Sequence, residues 1–189
     1  MTSFRKQLRP FFKAYHRVEL LDSQLIRAGV LVVIFERRGE PHFLLTKRTN
    51  DVEHHKGQIS FPGGTVDPGD RDMIATALRE TEEEIGLTAN SIEVLGLFDD
   101  IEIPTGFVVT PVIGYVEELP SLKLNKPEVE SVLEVPLSFF QESGNKKVVK
   151  MMRGGELRDV YFFSYGEFQI WGATAAIINS FLQKLVLIP

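Results

Sequence analysis

Residues 79–87 read Arg79-Glu80-Thr81-Glu82-Glu83-Glu84-Ile85-Gly86-Leu87, and a glycine pair, Gly63-Gly64, precedes them. At 3.6 residues per turn, Glu80, Glu83 and Glu84 project from one side of a helix, while Glu82 points roughly the other way. The like charges of Glu80 and Glu84, one turn apart, cost a few tenths of a kcal/mol. Acids close to a helix C-terminus oppose its dipole by about 0.3 to 1 kcal/mol each. A cation bound to that face would offset both costs. Taken alone, a glutamate-rich face is equally consistent with a solvated helix surface, and two adjacent glycines mark a turn more often than a catalytic loop. The combination of glycine pair, acid-containing spacer and Arg-Glu-x-x-Glu-Glu-x-Gly favours a metal site.

Composition narrows the classes of function. With 189 residues, 43% of them apolar, and near-zero mean hydropathy, the chain can bury a sizeable core in one domain. A net charge of -5 disfavours a nucleic-acid partner, which calls for a basic stripe. The absence of cysteine excludes disulfides, thiolate ligands and cysteine nucleophiles. The charged residues 1–9 are followed by no apolar run of signal-peptide length, and no segment approaches the roughly 18 apolar residues of a membrane span. The expectation is a soluble, cytoplasmic protein with no membrane partner, open between a monomer and a homodimer.

Along the chain, residues 4–15 predict a short helix interrupted by Pro10, within an N-terminal extension (1–27) that packs on the main domain (28–189). Residues 28–35 and 42–47 predict an antiparallel hairpin around a turn at 37–41, and 58–61 a short strand. Pro62-Gly63-Gly64 and Asp67-Pro68-Gly69-Asp70 predict turns. Asp72 is a plausible N-cap for a helix whose stripe runs Ile74, Ala77, Leu78, Thr81, Ile85, with Gly86 as left-handed terminator. Further strands are expected at 92–98, 107–116, 132–135, 148–151 and 160–164, the last two around Arg153-Gly154-Gly155, with helices at 136–140 and 174–185. The fold class is α/β (α+β), a mixed β-sheet flanked by helices.

Hard divalent cations take oxygen ligands, and Mg²⁺ accepts one or two carboxylates while keeping waters and phosphate oxygens. Glu80, Glu83 and Glu84 suit that habit, and Gly64, without a β-carbon, lets backbone groups approach an ion or phosphate closely. Arg79 can brace Glu83 one turn on. These residues resemble the box of the Nudix hydrolase family: Gly, five residues, Glu, seven residues, then Arg-Glu-apolar-x-Glu-Glu-x-Gly-apolar. Residues 64–87 cover it, with Asp70 in the place of the first glutamate and Thr81 at an apolar position. Fourteen residues separate Gly64 from Arg79, one more than in the general box, which bears on Asp70 more than on the helix. The resemblance implies a sandwich of helices around a mixed sheet and dependence on Mg²⁺ or Mn²⁺. It also implies a nucleoside diphosphate substrate, with Glu80, Glu84 and the Gly64 carbonyl as metal ligands and Glu83 as ligand or base. Glu128 and Glu130 are alternative bases if the 127–130 loop swings in.

Upstream, residues 44–49 (Leu-Leu-Thr-Lys-Arg-Thr) and 57–67 (Gly-Gln-Ile-Ser-Phe-Pro-Gly-Gly-Thr-Val-Asp) resemble the signature of the coenzyme A pyrophosphatase subgroup. Glu53 stands where that subgroup usually has arginine, with His54, His55 and Lys56 beside it. The likeness continues through 110–114 and 170–175. Coenzyme A carries a diphosphate and a 3′-phosphate, so Lys47, Arg48, His54, His55 and Lys56 are candidate phosphate contacts, and Gly63 a close-approach position. Each cation also has the plainer reading of an exposed polar residue. Trp171, the sole tryptophan, stacks on adenine or serves packing. The alternatives are a Nudix pyrophosphatase for ADP-ribose, a nucleotide sugar or a nucleoside triphosphate, and a catalytically silent nucleotide sensor of Nudix fold.

Overall fold

The computed structural model describes residues 3–21, 24–49, 57–153 and 156–186. Helix α1 (Phe4–Ala14) leads to the hairpin β1 (Ile26–Arg37) and β2 (Glu40–Arg48), followed by the short strands β3 (Ile59–Ser60) and β4 (Gly63–Thr65). Helix α2 (Met73–Ile85) precedes β5 (Glu93–Leu97), β6 (Ile101–Ile103), β7 (Phe107–Val116) and β8 (Val129–Pro136). The chain continues through α3 (Leu137–Gln141), β9 (Lys146–Arg153), β10 (Glu156–Tyr165), β11 (Phe168–Trp171) and α4 (Gly172–Leu185).

β1 explains the architecture. Its run from Ala28 to Phe35 shows no apolar-polar alternation because both of its faces are covered, as expected for a strand inside a sandwich. Leu31, Val33 and Phe35 join Leu44, Ala77, Ile85 and Val112 on the α2 side. Val32 and Ile34 join Phe43, Leu45, Ile113 and Phe181 on the side of α1, α3 and α4. β1 pairs antiparallel with β2 (Val33 opposite Leu44) and parallel with β7 (Ile26 opposite Phe107), so the main sheet is mixed, in the order β3-β2-β1-β7-β5. β8 runs along β2, and β9, β10 and β11 form a separate antiparallel sheet. Among the described residues no helix is long and apolar enough to cross a membrane.

Three expectations change. Gly63-Gly64 is a strand rather than a turn: Gly63 pairs with Val30 and Gly64 with Gly29. Glycine's low strand propensity hides a ladder that neighbouring strands impose. α1 runs through Pro10, because burial of Leu8 and Phe12 outweighs the roughly 3 kcal/mol local cost. β6 and β11 are short strands with no separate sequence signal. The hairpin tip at Gly154-Gly155 lies outside the described residues.

α2 rests on β1 where Gly29 leaves room. A β-carbon on Gly29 would lie 2.9 Å from the Met73 carbonyl oxygen and 3.3 Å from the Ala77 nitrogen, both of them backbone. Gly29→Ala is therefore expected to push the helix off the strand and to destabilise the protein by about 1–3 kcal/mol. Urea unfolding measures this; an unchanged midpoint would contradict the packing described.

Candidate active site

α2 has clear start and stop signals: the Asp72 carboxylate accepts from the Ala75 amide at 2.8 Å, and Gly86 closes the helix at φ 70°. Burial of Thr76, Ala77, Thr81 and Ile85 against the sheet sets its rotation. Thr81 can occupy an apolar position because its hydroxyl donates to the Ala77 carbonyl at 2.6 Å, within the helix. The carbonyls of Glu84 and Ile85, which the helix itself leaves unbonded, accept from the amides of Asn125 and Lys123 at 2.9 Å. The segment before β8 is thereby tied to the acidic end of α2.

The acids differ in depth. Glu84 is only 2% exposed; Arg48 Nη1 donates to its Oε1 at 3.0 Å, while its Oε2 has no hydrogen-bond partner among the described residues. Burial is the main cause raising its pKa to about 7. Arg48 and, less strongly, the backbone of Gly63 pull it back, and the charges of Glu80 and Glu128 push it further up. Glu80 is half-buried, which also raises its pKa, and Arg79 Nη1 donates to it at 2.9 Å. Its carboxylate lies over Gly64, where an added β-carbon would sit 2.5 Å from it. Glu83 is 57% exposed and accepts from Arg79 Nη1 at 3.1 Å; Glu82 is exposed.

Arg79 is held by Asp70. Its Nε donates to Asp70 Oδ1 at 3.1 Å, and its Nη2 to Asp70 Oδ2 and the Thr65 carbonyl at 2.9 and 3.0 Å. The guanidinium, with the Asp67 amide and the Thr76 hydroxyl, keeps the Asp70 carboxyl well below its ordinary range. Both Asp70 oxygens are thus occupied. Standing where the family box has glutamate, Asp70 clamps the arginine that spans Glu80 and Glu83, a link that spacing alone did not reveal.

Lys47 and Arg48, grouped as phosphate contacts by sequence, serve different places. Arg48 meets Glu84, whereas Lys47 donates to Glu130 at 2.7 Å and stands 5.7 Å from the centre of the Phe168 ring. Glu128 accepts from Asn125 at 3.1 Å, and its charge is felt at both Glu80 and Glu84. Gly63 and Gly64 lie on β4 beside β1. His55 and Lys56, with Glu53 and His54, fall outside the described residues.

Among the described residues no three acidic or histidine side chains form a ready metal-holding group; Glu80, Glu83 and Glu84 each pair with an arginine. The arginines supply the positive charge such a cluster requires. The orphaned Glu84 Oε2, the gap over Gly64 that a β-carbon would fill, and an all-oxygen donor set fit a hard divalent cation.

A helix presenting three acids over a glycine strand, seated on a mixed sheet between layers of helices, defines the class: the chain belongs to the Nudix family and is a Nudix hydrolase, with the NUDIX domain model matching residues 25–176. Enzymes of this family act on small nucleotide diphosphates and generally use divalent metals. Among particular proteins, it is similar to Nudix hydrolase NudL of Photorhabdus laumondii, itself uncharacterized, with 39% identity over 166 residues covering 88% of each chain. The uncharacterized NudL of Citrobacter koseri is 37% identical over 163 residues, covering 86% of this chain and 84% of its own. Among solved structures, the Nudix hydrolase RenU from M. smegmatis shares the fold, with a TM-score of 0.60 over 87% of this chain and 88% of its own at 17% identity.

Two predictions arise here. In Gly64→Ala the clash is with the mobile end of Glu80, so the carboxylate swings aside. Stability should stay within about 1 kcal/mol by urea unfolding, while metal-dependent turnover falls. The second concerns pH. A folded pKa near 7 against an ordinary 4.5 means that the folded protein holds the extra proton between those values. Stability of the cation-free protein is therefore lost as pH rises from 4.5 through about 7. The melting temperature of Glu84→Gln in EDTA, minus that of the natural protein, should grow across this window; a constant difference would mean Glu84 titrates normally.

Proposed function

We propose that this Nudix hydrolase cleaves the diphosphate of coenzyme A or its thioesters in a divalent-metal-dependent reaction, releasing 3′,5′-ADP and (acyl-)4′-phosphopantetheine. The observation that carries the substrate assignment is the coenzyme A-type signature of residues 44–49 and 57–67. Its Arg48 pairs with the buried acid of α2, and its glycines form β4 beneath Glu80. The signature and the acids thus belong to one site.

Glu80, Glu83, Glu84 and the Gly64 carbonyl are the residues that would hold Mg²⁺ or Mn²⁺. Bound there, such cations neutralise the diphosphate charge and make phosphorus more open to attack by water. Arg79, clamped by Asp70, sets the positions of Glu80 and Glu83. Arg48 engages one oxygen of Glu84 and leaves the other uncommitted. Glu83, the most exposed of the three, is the base that takes the proton from the attacking water as the bridging P–O bond breaks. Glu128 is the second candidate for this role, because its charge reaches both Glu80 and Glu84. Residues 1–27 are assigned to an N-terminal extension of the domain formed by 28–189, and the cytoplasm to its place of work.

The test is incubation with coenzyme A and Mg²⁺, with products weighed by mass spectrometry. Both halves of the substrate should appear. Glu80→Gln and Glu84→Gln should each lose at least the roughly 100-fold typical of residues that merely orient a metal ligand. Turnover of ADP-ribose, nucleotide sugars or nucleoside triphosphates but not of coenzyme A would replace the substrate. No cleavage with any divalent metal would remove the hydrolytic reading.

A further inference from the structure

A cleft of about 360 Å³ opens between the ends of β2 and β3 and the strand β11. Its size falls in the range of small-molecule sites, about 300–1,000 Å³. At one end is Trp171, whose indole stacks on Phe162 with 6.1 Å between ring centres and 8° between planes, yet remains 37% exposed. One face of the ring is backed by protein, which holds the plate rigid. Gln169 and Trp171 are two apart on β11 and so share a face, and Glu167 lies just before them. Phe168 and Lys47 also line the cleft, with the Lys47 ammonium 5.7 Å from the Phe168 ring centre.

We propose that this cleft is the subsite for the adenine ring of the substrate, with the phosphate-bearing ribose directed towards Lys47. The proposal rests on the coenzyme A reading. Two features select a purine over the pantetheine arm. A backed indole offers stacking to a flat heteroaromatic ring and little to a flexible chain of amides. The Glu167 carboxylate and the Gln169 carbonyl can accept hydrogen bonds from an exocyclic amine. The charged end is directed to Lys47, a cation lining the cleft, where a phosphate would take the place of Glu130, which accepts from the ammonium at 2.7 Å. β2 supplies both places, Lys47 to the cleft and the next residue, Arg48, to Glu84. Trp171 is thereby a residue that binds and selects substrate and takes no part in bond cleavage.

Trp171 is the only tryptophan, so its fluorescence reports on the cleft alone. Titrating the full-length protein in EDTA with 3′,5′-ADP, with excitation at the red edge of indole absorption, should give saturable quenching; 4′-phosphopantetheine should give none. In turnover assays, Trp171→Leu should raise KM for coenzyme A roughly tenfold with kcat nearly unchanged, and Trp171→Phe, which keeps a ring, should recover most of the loss. Thermal melts of both variants identify a folding defect, in which case the titration of the unaltered protein decides. Quenching by 4′-phosphopantetheine equal to that by 3′,5′-ADP would overturn the subsite, as would coenzyme A turnover without any quenching by 3′,5′-ADP. Quenching by 3′,5′-ADP without coenzyme A turnover would leave the subsite standing and remove the substrate assignment instead.

Discussion

The seating of α2 on two glycines is the contact on which the rest depends. Gly29 and Gly64 are paired neighbours on β1 and β4; the backbone of α2 rests where a side chain on Gly29 would stand, and the Glu80 carboxylate where one on Gly64 would. This closeness, with the rotation set by Thr76, Ala77, Thr81 and Ile85, sends Glu84 inward, lays Glu80 across the strand and leaves Glu83 in water. Three chemically identical side chains thus acquire three environments from one packing decision. Burial raises the proton affinity of the two inner acids, Glu80 and Glu84.

Around this contact the charges are organised in two tiers. Arg48 faces the deep acid and Arg79 the shallower pair, and Asp70 fixes Arg79 in turn. An arginine between two glutamates can change partners at small cost, because its guanidinium presents several donors in one plane. Arg48 lies deeper, and among the described residues its Nε and Glu84 Oε2 are buried without a hydrogen-bond partner. Unsatisfied polar atoms at such depth are costly, which is why Glu84 Oε2 counts among the features that fit a cation.

Much of this was legible in the sequence. The cap at Asp72, the stop at Gly86 and the common side of Glu80, Glu83 and Glu84 follow from helical spacing and terminal chemistry, which are local. The mixed sheet between helices followed from the apolar runs and the family box. What was hidden is long-range. Nothing in residues 63–65 announces a strand, because its ladder is imposed by β1. The grip of Asp70 on Arg79 depends on how an enlarged loop folds back, and the approach of Glu128 to α2 on hydrogen bonds from Asn125 and Lys123 to carbonyls far away in sequence. That Lys47 meets Glu130 while Arg48 meets Glu84 was hidden as well, because the ladder of β2 with β8 shifts register between the two residues.

The parallel ladder between β1 and β7 has a consequence for synthesis. Ile26 pairs with Phe107 and Phe35 with Val116, so β1, though it can pair with β2 at once, lacks its parallel partner until the ribosome has delivered the intervening α2, β5 and β6. A strand apolar on both faces has no side it can safely show to water in that interval. Non-local pairing of this kind is slow to form and leaves chains exposed to aggregation while they wait. The same two-sided burial that steadies the finished enzyme therefore leaves the β7-facing edge of β1 open during synthesis.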